Sequence, residues 1–297
     1  MKARFLFPSI FRILGILMAI PGFILGYLVV FKEYKIPDFV LHLRDHASLD
    51  RAEYENFTNE LALALVVVGL VFIAFSKVKR EDELTARIRL NALYWAILTN
   101  YIIYAIWFLM SGSAELFHWE MMSSALSGPL HFSLNNFFLP LSIFIGRFYF
   151  LLNKSKNEYV EAPVHFLPNR PYGLIGKALT LILLLPAIYA LFDFFGANWL
   201  DAVYYFLPLA MLLWIYSKER VEDEYINSIK LSSMQIAIYV NYVVLLLANF
   251  FCYGILFLLV QQLNLITIPL IFLIRFQYLL YKLRSQDSRG GATLSCL

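Results

Sequence analysis

Clustered acidic residues in two nearly identical stretches are the first candidates for chemistry in this chain. Ser76-Lys77 leads to one acidic triplet, and 141 positions later Ser217-Lys218 leads to the other. The match continues into the apolar segment that follows each triplet and needs no gap, so we interpret it as an internal duplication. The two triplets are Glu81-Asp82-Glu83 and Glu222-Asp223-Glu224.

Two interpretations of the triplets remain open. Carboxylates at the amino terminus of a helix complement its free N–H groups and its dipole, which is worth roughly 0.3–1 kcal/mol where they are exposed. Alternatively, they pair with two arginines, Arg147 and Arg275, which lie about 10 Å inside the membrane at 1.5 Å per residue. The predicted pairs are Arg147 with Glu83 or Asp82, and Arg275 with Glu224 or Asp223.

Two asparagine–tyrosine pairs form a second set of candidates. Asn100-Tyr101 and Asn241-Tyr242 occupy equivalent positions in the two stretches, about 18 Å along their helices from the acidic triplets. An amide in hydrocarbon costs free energy unless it is hydrogen-bonded, so we expect these residues to face other helices. They either join helices within each bundle or line a polar path between the two halves.

One arrangement of histidines resembles part of a metal site. His42 and His46 are spaced i, i+4 on the predicted outer side, but zinc requires three or four converging ligands and no H-E-x-x-H motif is present. We favour an amphipathic or loop segment at the surface over residues 36–57. Nucleophile-elbow, phosphate-loop, dinucleotide-binding and C-x-x-C motifs are missing, so we predict neither an enzyme nor a cofactor.

The composition is typical of a membrane protein. Hydrophobic residues make up 61% and charged residues 15% of the chain, whereas soluble domains contain about 25% charged residues; the mean hydropathy is +0.68. Apolar runs long enough to cross about 30 Å of hydrocarbon recur throughout. The sequence therefore predicts an all-α, polytopic protein with eight spans, at about 12–31, 60–76, 90–110, 133–152, 174–194, 202–216, 233–259 and 264–282.

The distribution of Lys and Arg predicts the orientation. Basic residues concentrate in every second connection, and the outer segments 111–132, 195–201 and 260–263 contain none. Only the first outer loop breaks this pattern, with Lys32, Lys35, Arg44 and Arg51, and a larger number of acidic residues offsets them. Because positive residues remain on the cytoplasmic side, both termini are predicted to be cytoplasmic. The predicted location is a cell membrane, with the lipid bilayer as the main partner and no role in nucleic-acid binding.

The duplication extends over both halves of the chain. Residues 136–154 match residues 264–282 at a second constant spacing, and each half then contains four helices. An even number of crossings gives the two copies the same orientation, so they are predicted to be parallel repeats. The predicted organisation is a first repeat over 1–155, a cytoplasmic linker over 156–173, a second repeat over 174–284 and a flexible tail over 285–297.

The motif E-D-E-x4-I-[RK]-L-x5-A-I, which covers mainly residues 76–105 and 217–246, resembles small uncharacterised four-helix bacterial membrane proteins. Their common feature is an acidic D-E pair at the head of a helix. The resemblance implies two such units fused in one chain, in a bacterial cytoplasmic membrane. It implies no activity, although members of that group are regarded as accessory or regulatory proteins.

Two classes of function follow from these observations. The first is a non-enzymatic regulatory, sensing or scaffold component that presents two inner-face charge clusters to a cytosolic or membrane protein. The second is a small-molecule transporter or channel that uses the interface between the repeats. Ionisable residues are missing from the predicted midplane, which disfavours proton- or ion-coupled transport. The sequence does not identify a ligand.

Overall fold

The structure is a computed structural model that describes most of the chain. The described residues are 5–39, 56–78, 81–116, 137–156, 164–192, 199–219, 224–252 and 255–294. Within these ranges the chain forms eight α-helices and no strand. The helices are α1 Ile10–Lys32, α2 Thr58–Phe75, α3 Glu83–Leu116, α4 Leu139–Lys154, α5 Leu174–Phe192, α6 Trp199–Ile215, α7 Glu224–Phe251 and α8 Ile255–Leu294.

The all-α class and the eight predicted helices are confirmed. Six of them, α1, α2, α3, α5, α7 and α8, are long and apolar enough to cross a membrane. The other two, α4 and α6, contain 16 and 17 residues, and a helix of that length covers only about 25 Å at 1.5 Å per residue. The six long helices indicate a multi-pass membrane protein.

Two boundaries near the carboxyl terminus differ from the prediction. α7 ends at Phe251 and α8 begins at Ile255, whereas one span was predicted to continue to residue 259. α8 also continues to Leu294, so residues 285–294 of the predicted flexible tail are helical.

The chain divides into two compact units. The N-terminal unit comprises Lys2–Val164 together with Asn241–Leu265, and the C-terminal unit comprises mainly His165–Val240 and Ile266–Leu297. The boundary after Val164 lies within the predicted linker, residues 156–173. The end of α7 and the start of α8 belong to the N-terminal unit, so the units do not coincide with the two predicted repeats.

In the N-terminal unit, α1 packs closely on α2. A Cβ atom built on Gly15 would lie 2.6 Å from the carbonyl oxygen of Gly69, which is closer than real Cβ contacts allow. The segment before α1 is fixed to the end of α2, since Phe7 N–H donates to Phe75 O at 2.9 Å and Lys77 N–H donates to Phe7 O at 2.8 Å.

The C-terminal unit begins with the same local arrangement. Leu167 N–H donates to Tyr216 O at 2.8 Å, and Lys218 N–H donates to Leu167 O at 2.8 Å. The short segment Asn169–Gly173, in which the backbone of Arg170 is extended, then leads into α5. Here α5 packs closely on α6, because a Cβ atom on Gly176 would lie 2.6 Å from the backbone nitrogen of Trp214.

Large apolar side chains remain exposed along α1 and α5. Leu17 in α1 is 66% exposed and Leu185 in α5 is 73% exposed. Burial in α1 is confined to Gly15, Ala19 and Gly22. Faces of this kind fit contact with lipid, which offers no hydrogen bonds but accepts apolar side chains.

Candidate functional site

The first acidic triplet lies at the start of α3, and its middle residue caps that helix. Asp82 Oδ1 accepts hydrogen bonds from the backbone N–H of Thr85 at 2.8 Å and from Thr85 Oγ1 at 2.7 Å. This is the usual bonding of an aspartate N-cap. Glu83 lies 3.8 Å from Arg87, and both side chains are more than half exposed. These two acids therefore have different structural roles.

Glu81, the first residue of the triplet, pairs with a buried cation. Arg89 Nη2 donates to Glu81 Oε1 at 2.9 Å, and the arginine side chain has no exposed surface while that of Glu81 is 22% exposed. Glu81 Oε1 also accepts from Val78 N–H at 2.8 Å. Buried charges require a partner of opposite sign and further hydrogen bonds, and Glu81 supplies the carboxylate here.

Two further contacts hold the Arg89 guanidinium. Its Nη1 donates to the carbonyl oxygen of Ala74 at 3.0 Å, and its Cζ lies 4.4 Å from the centre of the Phe148 ring. Ala74 belongs to α2 and Phe148 to α4, so one side chain on α3 contacts both neighbouring helices. We call the set of Glu81, Arg89, Ala74 and Phe148 the buried-arginine cluster.

The arginine predicted to meet the triplet contacts other residues. Arg147 Nε donates to Asn91 Oδ1 at 3.0 Å, and its guanidinium lies 5.1 Å from the ring of Trp95. Arg89, and not Arg147, is therefore the partner of the acidic triplet. A signal was available, since the repeated motif places a basic residue eight positions after the first glutamate in both copies.

The C-terminal unit has a buried cation at the equivalent position. Lys230 is 1% exposed, and its Nζ lies 3.5 Å from the ring of Phe166 and 5.9 Å from that of Phe276. Phe276 corresponds to Phe148 in the predicted duplication. Glu222 and Asp223 lie outside the described residues, and Glu224 is the first residue of α7.

Arg275 corresponds to Arg147 in the sequence match, but the two residues that contact Arg147 are replaced by other residue types at the matching positions. The positions of Asn91 and Trp95 are occupied in the second copy by Ser232 and Ile236. Ser232 Oγ donates to the Ile229 carbonyl at 3.0 Å. Arg275 Nε is buried and has no hydrogen-bond partner among the residues that the structure describes. The second stretch therefore lacks the asparagine oxygen that accepts from Arg147 in the first.

The four residues of the asparagine–tyrosine pairs are all buried. Asn100, Tyr101, Asn241 and Tyr242 are each 1% exposed, and all belong to the N-terminal unit. Tyr101 Oη donates to the carbonyl oxygen of Leu265 at 2.7 Å. Within α8 this carbonyl would bond to the N–H of residue 269, but Pro269 has none. Tyr101 supplies the missing donor.

The described residues offer no metal site. No group of three or more His, Cys, Asp or Glu side chains is arranged to hold a metal ion in that part of the chain. His42 and His46 lie outside the described residues. Cys252 follows the end of α7 as a free thiol.

Comparisons with known proteins found no match. No family model, no curated protein and no solved structure matches this chain.

Proposed function

We propose that this chain is a non-enzymatic regulatory, sensing or scaffold component of a bacterial cytoplasmic membrane. It consists of two parallel four-helix repeats with both termini in the cytoplasm, and each repeat holds a charge cluster at the inner membrane surface. The proposed bacterial location rests on the resemblance of the repeated motif. The orientation rests on the distribution of basic residues.

This proposal rests on one observation: the paired charges of Glu81 and Arg89 join neighbouring helices to one another. Arg89 is fully buried against Glu81, and it also contacts a backbone carbonyl and an aromatic ring. A catalytic group would need to reach a substrate, whereas this pair fixes the start of α3 to α2 and α4. Glu83 and Arg87 remain exposed beside it and offer both charge signs to a partner.

Matching contacts within the two copies support the duplication. Phe144 and Phe148 stack at 5.7 Å and 22°, and Phe272 and Phe276 stack at 5.4 Å and 17°. A buried basic residue lies over the second ring of each pair. These contacts repeat at the spacing of the sequence match.

Site-specific photocrosslinking tests the proposal. A photoreactive amino acid at the position of Glu83, in the full chain in its native membrane, should give a discrete protein adduct that the charge reversal R87E abolishes, and a probe at the position of Arg87 should give one that E83R abolishes. The matched control is Ile106, which is 53% exposed on the apolar part of the same helix. Equal adducts at all three positions, or none at Glu83 and Arg87, would contradict the proposed partner surface.

A small-molecule carrier or channel is the second candidate. Asn241 and Gln261 are buried and their side-chain amides have no hydrogen-bond partner in the described part of the chain, as expected for groups that line a polar path. Purified protein in vesicles should then accelerate the flux of small neutral solutes. A flux equal to that of empty vesicles would exclude this candidate.

A further inference from the structure

No carboxylate among the described residues neutralises Arg147. Within that part of the chain its guanidinium makes one hydrogen bond, from Nε to Asn91 Oδ1 at 3.0 Å, and it lies 5.1 Å from the ring of Trp95. Arg89 of the same unit differs, because it lies 2.9 Å from Glu81. An ionised side chain close to hydrocarbon requires a counter-charge, and neither an amide nor an indole ring supplies one.

The guanidinium of Arg147 is held in one orientation with one edge open. Its Nε donates to the Asn91 amide on α3, and the Trp95 ring lies beside it one helical turn further along the same helix. The arginine is partly exposed, and neither Nη atom is among the buried side-chain atoms without a partner. Trp95 is itself 39% exposed. The two Nη groups therefore have access to the surface of the N-terminal unit.

The surface of α3 around this guanidinium changes from charged to apolar. Arg87, Asn91 and Trp95 follow one another at intervals of one helical turn and therefore share a face. The Arg87 side chain is 56% exposed. On the same face, about three turns beyond Trp95, Ile106 is 53% exposed. Since α3 is long and apolar enough to cross a membrane, Arg147 lies where a charged helix end meets a surface that fits lipid.

A phospholipid carries matching groups in the same order. Its phosphate is negatively charged and lies at the polar boundary of the bilayer, and its acyl chains extend from there into the hydrocarbon. The edge of a guanidinium donates two parallel hydrogen bonds to a phosphate, and tryptophan is enriched at this boundary. A free phosphate ion satisfies the same two donors but leaves the apolar face beyond Trp95 uncovered. The exposed Ile106 therefore favours the lipid.

We propose that Arg147 binds the phosphate of a membrane phospholipid, with Asn91 and Trp95 as the residues that orient it. The two Nη groups donate to phosphate oxygens, and one acyl chain lies along the exposed apolar face of α3. The matching positions around Arg275 hold Ser232 and Ile236, so the proposal applies to the first copy. It depends on neither proposed function, since a regulator and a carrier both reside in lipid.

Lipid titration followed by native mass spectrometry tests the site in the full chain, purified in an uncharged detergent. Arg147→Met should weaken the tightest binding of phosphatidylglycerol about tenfold, because it removes two charge-assisted hydrogen bonds. The matched control is Arg284→Met, which removes a positive charge from a side chain that is 65% exposed and should leave the affinity unchanged. Diacylglycerol, which has the same chains without the phosphate, should bind both variants equally. An equal affinity of the two variants for phosphatidylglycerol, or an equal loss of both lipids in Arg147→Met, would overturn the proposal.

Photocrosslinking in the unsubstituted chain gives a second readout that does not depend on the folding of a variant. In the same detergent, a phosphatidylglycerol with a diazirine close to its glycerol should attach to the segments 91–95 or 147–150. Excess unlabelled phosphatidylglycerol should suppress this product, and excess diacylglycerol or inorganic phosphate should not. Suppression by diacylglycerol would show that the chains alone are recognised, and suppression by inorganic phosphate would identify a site for the free anion. Either result, or attachment only at other segments, would contradict the proposal.

Discussion

Arg89 Nη2 lies 2.9 Å from Glu81 Oε1, and the arginine side chain is completely buried. The glutamate precedes α3 and the arginine lies in its second turn, so the pair fixes the helix start to the preceding segment. Loss of one member of a buried ion pair is more harmful than loss of both, because the remaining charge stays in the interior without its counter-charge.

We therefore predict that Arg89→Met lowers the free energy of unfolding by about 3 kcal/mol. The double variant E81Q/R89M should be less destabilised than the sum of the two single variants, since it leaves no uncompensated charge. Reversible unfolding in detergent measures these values. The control is Arg87→Met, which removes an exposed pair with Glu83 and should cost less than about 0.5 kcal/mol. Additive effects at positions 81 and 89 would exclude the coupling.

We expect Lys230 to depend on Glu222 for its counter-charge, as Arg89 depends on Glu81. Both sequence copies place the basic residue eight positions after the first acid of the triplet, and Lys230 is 1% exposed. Glu222→Lys and Lys230→Glu should each destabilise the protein strongly, and the combined exchange should restore part of the loss. Glu224→Lys serves as the control for charge at the start of α7. If the exchange at 222 and 230 rescues nothing, the two residues are not paired.

The helices were easier to predict than the contacts between them. Long apolar runs specify the eight helices because the lipid requires continuous backbone hydrogen bonding, and the boundaries that differ most from the prediction are those of α7 and α8. The sequence predicts a carboxylate as the partner of Arg147, because an intramembrane cation normally needs an opposite charge. Its partners are instead the uncharged side chains of Asn91 and Trp95, and no rule of residue spacing identifies such partners from the sequence. The partners of Tyr101 depend on Pro269, which is distant in sequence.

Ser232→Asn is predicted to stabilise the C-terminal unit. The substitution restores at Arg275 the side-chain oxygen that Asn91 provides to Arg147, and a hydrogen bond to a charged group contributes about 1.5–3 kcal/mol. The reciprocal Asn91→Ser should lower stability. Thermal unfolding compares both with Ser232→Ala, which keeps the size but adds no acceptor. If Ser232→Asn is no more stable than Ser232→Ala, the proposed contact with Arg275 does not form.

Tyr101→Phe is predicted to be more destabilising than Tyr242→Phe. The first change removes a 2.7 Å hydrogen bond to the Leu265 carbonyl and should cost about 1–3 kcal/mol, because it leaves a buried acceptor unsatisfied. In a Pro269→Ala background the new N–H group bonds to that carbonyl within the helix, so Tyr101→Phe should cost less. The difference between the two backgrounds is the coupling energy of a double-mutant cycle. A cost that is unchanged by Pro269→Ala would refute this role of the proline.

The two cysteines provide a direct test of the predicted orientation. Cys252 follows the end of α7, which the distribution of basic residues places on the outer side, and Cys296 lies in the terminal segment predicted to be cytoplasmic. In intact cells, a membrane-impermeant maleimide should label Cys252, and it should label Cys296 only after the membrane is opened. The single variants C252S and C296S assign each signal to one residue. Labelling of Cys296 in intact cells would reverse the orientation and place the acidic triplets, with the buried-arginine cluster, at the outer surface.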